Sequence, residues 1–378
     1  MNFETAAIHV GQAPEPATGA IIPPIYATST YAQLGAGETR GYDYTRSGNP
    51  NFTNLEQTLC VLEGAEYATV FATGMSAITA VISTLSAGDL VIAEENIYGC
   101  TFRIYDEVFA KFGVKIEYCD LTDPANFDRI RKGSPQLVWI ESPTNPLLKV
   151  LDIQAIADEA HSAGAVLVVD NTFASPYFQK PLTLGADISL SSTTKYINGH
   201  SDCLGGVVLC RDSAWHEKMV FAQKAIGLNP SPFDAWLISR GVKTLAVRMQ
   251  KHADNALAFA HYLEQHPSTV FVRYPHLPSH PHHELACRQM SGGSGMVSAE
   301  FDLSLEQTQR LLSRFKVFAL AESLGGIESL VSHPPTMSHA SIPREQRERV
   351  GIRDGLIRFS VGIEHVEDLI ADFDQALD

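Results

Sequence analysis

The chain has no block of lysines or arginines. Its 28 basic side chains are scattered among 43 acidic ones, for a formal charge of −15 over 378 residues. Nucleic-acid binding needs clustered cations, so a phosphate-backbone partner is excluded. No apolar run approaches the ~20 residues a membrane helix requires; the longest resemble Ala165–Val169. The opening Met1-Asn2-Phe3-Glu4-Thr5 has neither the basic nor the apolar region of a signal peptide. Six cysteines (Cys60, Cys100, Cys119, Cys203, Cys210 and Cys287) form no C-x-x-C pair. That spacing predicts free thiols in a reducing compartment, mostly as small core residues, and neither a disulfide frame nor a zinc site. G-x-G-x-x-G and G-x-x-x-x-G-K-[ST] are both missing, so a NAD or ATP reading has no phosphate loop. His216-Glu217 and His283-Glu284 lack the second histidine of H-E-x-x-H, and no G-x-S-x-G elbow is present. The prolyl cluster His276, His280, His282 and His283 reads as a solvated loop. What these absences leave is a soluble cytoplasmic enzyme with no metal, membrane or nucleic-acid partner.

What is present is apolar material, 45% of the residues, enough to bury two cores. The first fifty residues are rich in Pro, Gly, Tyr and Thr and show no helical period. Residues 1–48 are therefore expected to form an arm lying on another surface, that of a neighbouring subunit. From residue 49 to about 245, short apolar runs alternate with helical stretches. Ala68–Ala72, Leu90–Ala93, Ile116–Cys119, Leu137–Ile140 and Ala165–Val169 read as buried strands. Ile153, Ile156, Ala157 and Ala160 share one face of a helix over Asp152–Gly164. This alternation predicts an α/β fold with a mostly parallel sheet covered by helices. Residues 246–378 change texture. A long helix (Thr244–Gln265) and strands at Val270–Tyr274, Met296–Phe301 and Leu356–Val361 precede a last helix with apolar face Val366, Leu369, Ile370, Phe373 and Leu377. They predict a smaller α+β C-terminal domain.

The strongest chemical signal is Ser191-Ser192-Thr193-Thr194-Lys195-Tyr196, directly after the apolar run Ala186–Leu190. Burial of a lysine at a strand end lowers its pKa and favours the neutral amine a Schiff base needs. Thr194 and Ser192, one and three residues earlier, can donate to a phosphate. The competing reading is a lysine on an exposed turn. Asp170, 25 residues upstream, follows Ala165–Val169 and so falls at the carboxyl edge where open α/β sheets bind ligands. It can pair with a protonated pyridine nitrogen, or be a helix cap or metal ligand. Thr73-Gly74-Met75-Ser76 opens a helix after Ala68–Ala72, and such a start presents free amides to a phosphate.

With these residues in place, the chain resembles the cysteine/methionine-metabolism family of pyridoxal-phosphate enzymes, the trans-sulfuration enzymes. The resemblance runs from Ile22-Pro23-Pro24-Ile25-Tyr26 to Arg358-Phe359-Ser360-Val361-Gly362. Its most specific motifs are Asp170-Asn171-Thr172-Phe173-Ala174-Ser175-Pro176 and Thr194-Lys195-Tyr196-Ile197-Asn198-Gly199-His200. It implies the fold-type I transferase architecture, pyridoxal 5'-phosphate as cofactor, and a homotetramer with active sites shared between subunits. By the same resemblance Lys195 holds the cofactor and shuttles protons, and Asp170 binds the ring nitrogen. Tyr98 stacks on the ring and protonates the leaving group. Gly74, Met75, Ser192 and Thr194 hold the phosphate, with Thr172 beside them. Tyr44 and Arg46 reach the cofactor of the neighbouring subunit. Arg358 clamps the substrate carboxylate, assisted by Asn145 and Ser323, with Ser338 nearby where many γ-lyases show Thr.

Within the family, Glu322 resembles the enzymes that handle cystathionine, where it meets the distal amine; Cys100 resembles methionine γ-lyase. Glu322 is given more weight, on the expectation that it is a buried carboxylate whose burial needs a reason. The implied activity is carbon–sulfur lysis of L-cystathionine, by γ-elimination or β-elimination. Cystathionine γ-synthase and then methionine γ-lyase are the alternatives.

Overall fold

The computed structural model describes residues 1–338, 340 and 344–377. A seven-stranded sheet is built from β1 (Tyr67–Phe71), β2 (Leu90–Glu94), β3 (Lys115–Cys119), β4 (Leu137–Glu141), β5 (Val166–Asp170), β6 (Ile188–Ser191) and β7 (Gly206–Cys210). Its order is β1-β7-β6-β5-β4-β2-β3. β3, β2, β4, β5 and β6 pair in parallel, while β7 runs antiparallel between β6 and β1. The strands are continuous apolar runs because both faces are covered. On one face, Ala77, Ile78 and Val81 of helix Gly74–Ile82 pack with Val91, Trp139 and Val168. On the other, Ile153, Ile156, Ala157 and Ala160 of helix Ile153–Ser162 pack with Ile92, Val138, Ile140 and Leu167. These side chains are almost wholly buried, each worth about 1.5–3 kcal/mol for the larger aliphatics.

Local chemistry sets where the helices start. The Thr73 hydroxyl accepts from the Ser76 amide at 2.9 Å, and Asp152 accepts from Ala155 at 3.1 Å; both are side-chain caps on a first turn. Helix Pro50–Glu63 has Pro50 at its first position, Asn49 as cap and Gly64 at φ 79° closing it.

A second, five-stranded sheet has the order β10-β11-β12-β9-β8, formed by β8 (Thr269–Arg273), β9 (Met296–Phe301), β10 (Ala319–Leu320), β11 (Leu330–Ser332) and β12 (Leu356–Ser360). Its core is aromatic: Phe259 of the long helix Leu245–Gln265 meets Phe359 at 5.2 Å and Phe318 at 5.4 Å between ring centroids. The last helix, Val366–Leu377, adds Leu369 and Phe373, both fully buried.

Two expectations are corrected. The N-terminal segment is not uniformly without regular structure: Phe3–His9 is a helix whose Ala6 and Ala7 are buried against Phe52, Leu55 and Leu59. Two adjacent small residues give no periodic signal, so the pattern was invisible. Nor are the histidines a solvated loop. His280 is 4% exposed and lies 3.0 Å from the Leu148 carbonyl, and His282 accepts from the Val150 amide at 3.1 Å. They tie the second sheet's leading segment to the loop after β4. Of the cysteines, all free, Cys119 and Cys210 are buried, Cys287 is exposed and the rest are intermediate.

Candidate active site

The carboxyl ends of β4, β5 and β6 open on a cavity of about 400 Å³. Thirteen of the residues singled out in the sequence line it: Gly74, Met75, Tyr98, Asn145, Asp170, Thr172, Ser192, Thr194, Lys195, Glu322, Ser323, Ser338 and Arg358. They come from eight stretches of chain, from residue 74 to residue 358, brought together by the sheet edge and by β12.

At one end stands a donor cradle. The amides of Gly74 and Met75 belong to the first turn of their helix, where the helix itself offers no acceptor. A Cβ on Gly74 would sit 2.8 Å from Cβ of Ser192, so only glycine lets the two segments close up. The Ser192 amide donates to the Thr172 hydroxyl at 2.9 Å, and the Thr194 hydroxyl accepts from Gly205 N at 3.0 Å. Amides and hydroxyls with no acidic side chain among them can hold a phosphate.

Lys195 and Asp170 occupy the middle. Lys195 Nζ donates to Ser323 Oγ at 2.7 Å. Burial, reinforced by the Arg358 charge, lowers its pKa to about 8, with Glu322 pulling the other way. Asp170 ends β5, takes a hydrogen bond from the Thr172 amide at 2.9 Å, and is raised by burial against the lowering effect of Thr172. A carboxylate there can pair with a protonated ring nitrogen. Tyr98, the residue before helix Gly99–Arg103, has its phenol pushed up by burial and by the neighbouring Cys100 thiol. That thiol accepts from Arg103 Nη2 at 2.9 Å.

The far end can receive a carboxylate. Arg358 is 5% exposed; its Nη1 donates to Asn145 Oδ1 at 2.8 Å and its Nη2 to the Ser323 carbonyl at 3.1 Å. Its Nε is buried and, among the described residues, has no partner, an orphan donor that an entering carboxylate can satisfy. Ser323 sits at φ 96°, a backbone geometry rare for a side-chain-bearing residue, and serves Lys195 and Arg358 at once. Glu322 differs from expectation. It is exposed at the rim, not buried, because the strand-poor segment 321–329 runs along the mouth.

Tyr44 and Arg46 are not brought in. They line a separate open groove with Asn229 and Pro232, where Arg46 Nη1 donates to the Lys224 carbonyl at 2.6 Å. One ionisable lining residue was missed from the sequence: Glu141, at the end of β4 and opposite Asp170 in register. Its signal was position, an acidic residue closing an apolar strand as Asp170 does. Elsewhere, Glu94, Glu95 and Asp120 lie close enough to hold an ion, but Lys149 Nζ stands among them at 3.3–4.0 Å.

Known proteins share this arrangement along the whole chain. The model of the family described as Cys/Met metabolism PLP-dependent enzyme matches residues 4–378. A cystathionine γ-lyase of Dictyostelium discoideum is 50% identical over 99% of this chain and 97% of its own length. A cystathionine γ-synthase of Mycobacterium tuberculosis is 48% identical over 99% and 96%. The crystal structure of cystathionine γ-synthase from Xanthomonas oryzae pv. oryzae in complex with cystathionine superposes with a TM-score of 0.97, at 43% identity, covering 100% of this chain and 98% of that one. Identity at this level over 99% of the chain fixes the kinship: the chain belongs to the Cys/Met metabolism PLP-dependent enzyme family.

Proposed function

We propose that the enzyme is a carbon–sulfur lyase that takes L-cystathionine, by γ-elimination to cysteine, 2-oxobutyrate and ammonia, or by β-elimination to homocysteine, pyruvate and ammonia. The observation that carries the reading is the juxtaposition, in one cavity, of an orphaned Arg358 donor, a lysine whose amine is half neutral near pH 8, and a phosphate cradle. Relatives named cystathionine γ-lyase at 48–50% identity agree with it.

Pyridoxal 5'-phosphate fits these residues: Gly74, Met75, Ser192 and Thr194 would hold its phosphate, Asp170 its ring nitrogen and Lys195 its aldehyde. Bound there, it supplies the electron-withdrawing conjugation that makes the substrate's Cα–H, and then its Cβ–H, acidic. The chain's own groups do the rest. Arg358, held by Asn145 and Ser323, orients the α-carboxylate bidentately. Lys195 would take the proton from Cα and, on the γ route, a second from Cβ. Its low pKa keeps the acceptor form populated near neutral pH. Tyr98, whose raised pKa keeps its phenol protonated, donates to the departing sulfur. Glu322 at the rim meets the distal ammonium of cystathionine, with Ser338 lining the same wall.

Residues 1–48 serve as an arm whose Tyr44 and Arg46 complete a neighbouring subunit's cavity in a homotetramer. Residues 49–245 hold the cofactor, and 246–378 close over the substrate. The enzyme works in the cytoplasm. A second reading, transfer to cysteine from an activated homoserine ester, has support in the likeness to the γ-synthases. Keto-acid identification decides. With L-cystathionine alone, 2-oxobutyrate marks the γ-lyase and pyruvate the β-lyase. No keto acid, with cystathionine formed from O-succinylhomoserine and cysteine, overturns lysis in favour of synthesis.

A further inference from the structure

The carboxyl edge of the large sheet carries three acidic side chains on neighbouring strands: Glu94 ends β2, Glu141 ends β4 and Asp170 ends β5. Their company differs. Glu94 accepts from the Leu121 amide at 2.8 Å and from Asn96 Nδ2 at 3.2 Å, with Lys149 Nζ at 4.0 Å. Asp170 has the Thr172 amide and opens on the cavity. Glu141, 6% exposed, accepts one hydrogen bond, from the Tyr98 amide at 2.5 Å, and among the described residues has no ion-pair partner.

Glu141 and Asp170 are direct register partners on adjacent parallel strands, so their side chains project to the same side of the sheet. Two carboxylates so placed, away from bulk water, do not both ionise readily. Among the described residues, the charged groups facing Glu141 are Asp170 from β5 and Glu94 from β2, both acidic, and the Tyr98 amide is the other group placed on it. Burial first, then the Asp170 charge, drives Glu141 far above the carboxylate range, while Thr172 restrains the rise at Asp170.

We propose that Glu141 is a positioning residue that stays protonated: it holds the pair's proton, leaving the negative charge on Asp170, and it anchors Tyr98 by that residue's backbone amide. The proposal rests on the roles given above to Asp170 and Tyr98. It makes Glu141 the link between the side chain that meets the ring nitrogen and the one that meets the leaving group, without itself touching the reacting atoms.

The test titrates the full-length apo-protein with pyridoxal 5'-phosphate, followed by fluorescence quenching, and records the visible spectrum of the loaded enzyme against pH. Glu141→Gln is neutral and keeps an acceptor for the Tyr98 amide. It should bind within about twofold of the parent and leave the spectral pH profile in place. Glu141→Ala orphans that amide and should weaken binding about tenfold. Combined with Tyr98→Ala, it should add nothing to the loss from Tyr98→Ala alone. Asp170→Asn is the reference: if it binds as tightly as the parent, the functional reading itself fails. If Asp170→Asn weakens binding and Glu141→Gln weakens it equally or shifts the profile, Glu141 is charged and the inference is overturned. Additive losses for Glu141→Ala and Tyr98→Ala overturn the anchoring half. Circular dichroism checks folding; if Glu141→Ala does not fold, Glu141→Gln and Asp170→Asn still decide the charge.

Discussion

Lys195 owes its reactivity to where β6 delivers it. The strand ends at Ser191 and the next turn sets the amine against Ser323 Oγ, with the Arg358 guanidinium nearby and little water. A lysine with the ordinary pKa of 10.5 is almost wholly protonated at pH 8; one at about 8 is half neutral there. The sign follows directly. The apo-protein should capture pyridoxal 5'-phosphate faster as pH rises, half-maximally near pH 8 and levelling off above about 9, with borohydride fixing the adduct on Lys195. Lys195→Arg should give no trapped adduct, and a rate that keeps climbing well beyond pH 9 would contradict the lowered pKa. Glu322 makes a smaller difference because it is exposed. An exposed charge pair is worth up to about 1 kcal/mol, so Glu322→Val should cut kcat/KM for cystathionine about fivefold relative to methionine. Equal loss on both substrates would remove the reason for ranking this residue above Cys100. The motif around Glu322 was readable in the sequence; its exposure was not, because local pattern does not say which loop runs along a cavity mouth.

At the scale of elements, helix Pro50–Glu63 carries two acids into the interior. Burial raises Glu56 to about 7 and Glu63 to about 8, against an ordinary value of 4.5. A folded-state pKa above the unfolded one means stability that is fully present below 4.5 and lost as pH rises through the folded value. Glu63→Gln should therefore raise stability most above pH 8, by an amount on the order of a few kcal/mol, with Tm rising accordingly, and change little below pH 4.5. Thermal melts across that range check it; a constant offset at all pH values would point to packing instead. The same scale shows what the sequence could disclose. The parallel strands were legible within a residue or two because burial on both faces leaves unbroken apolar runs, and helix Ile153–Ser162 because one face repeats at 3.6 residues. β7 was not, since Val207-Val208-Leu209 is a short run hidden behind Gly205-Gly206. Its antiparallel place between β1 and β6 is a matter of tertiary pairing. Lys195 and Asp170 were found through their strand ends; Glu141 was passed over although β4 delivers it to the same edge.

For the whole molecule, the groove lined by Tyr44 and Arg46 bears on whether a second copy completes a cavity. Both residues are turned away from the cavity of their own chain, and Tyr44, Leu204, Ile226 and Phe233 are exposed apolar side chains in one molecule. Large exposed apolar groups are what an obligate interface covers. If the arm reaches a partner's site across a two-fold axis, defects in Arg46 and in Lys195 belong to different cavities. Arg46→Ala and Lys195→Ala proteins, each nearly inactive alone, should then complement when unfolded together and refolded. A mixed pair has one cavity with both defects and one with neither, so an equimolar mixture should recover about a quarter of the parent's activity. Sedimentation should place the parent at about four times the 41.2 kDa chain mass. Recovery no greater than the sum of the separate variants would mean that Arg46 acts within its own subunit, and that the arm's exposed groove has some other use.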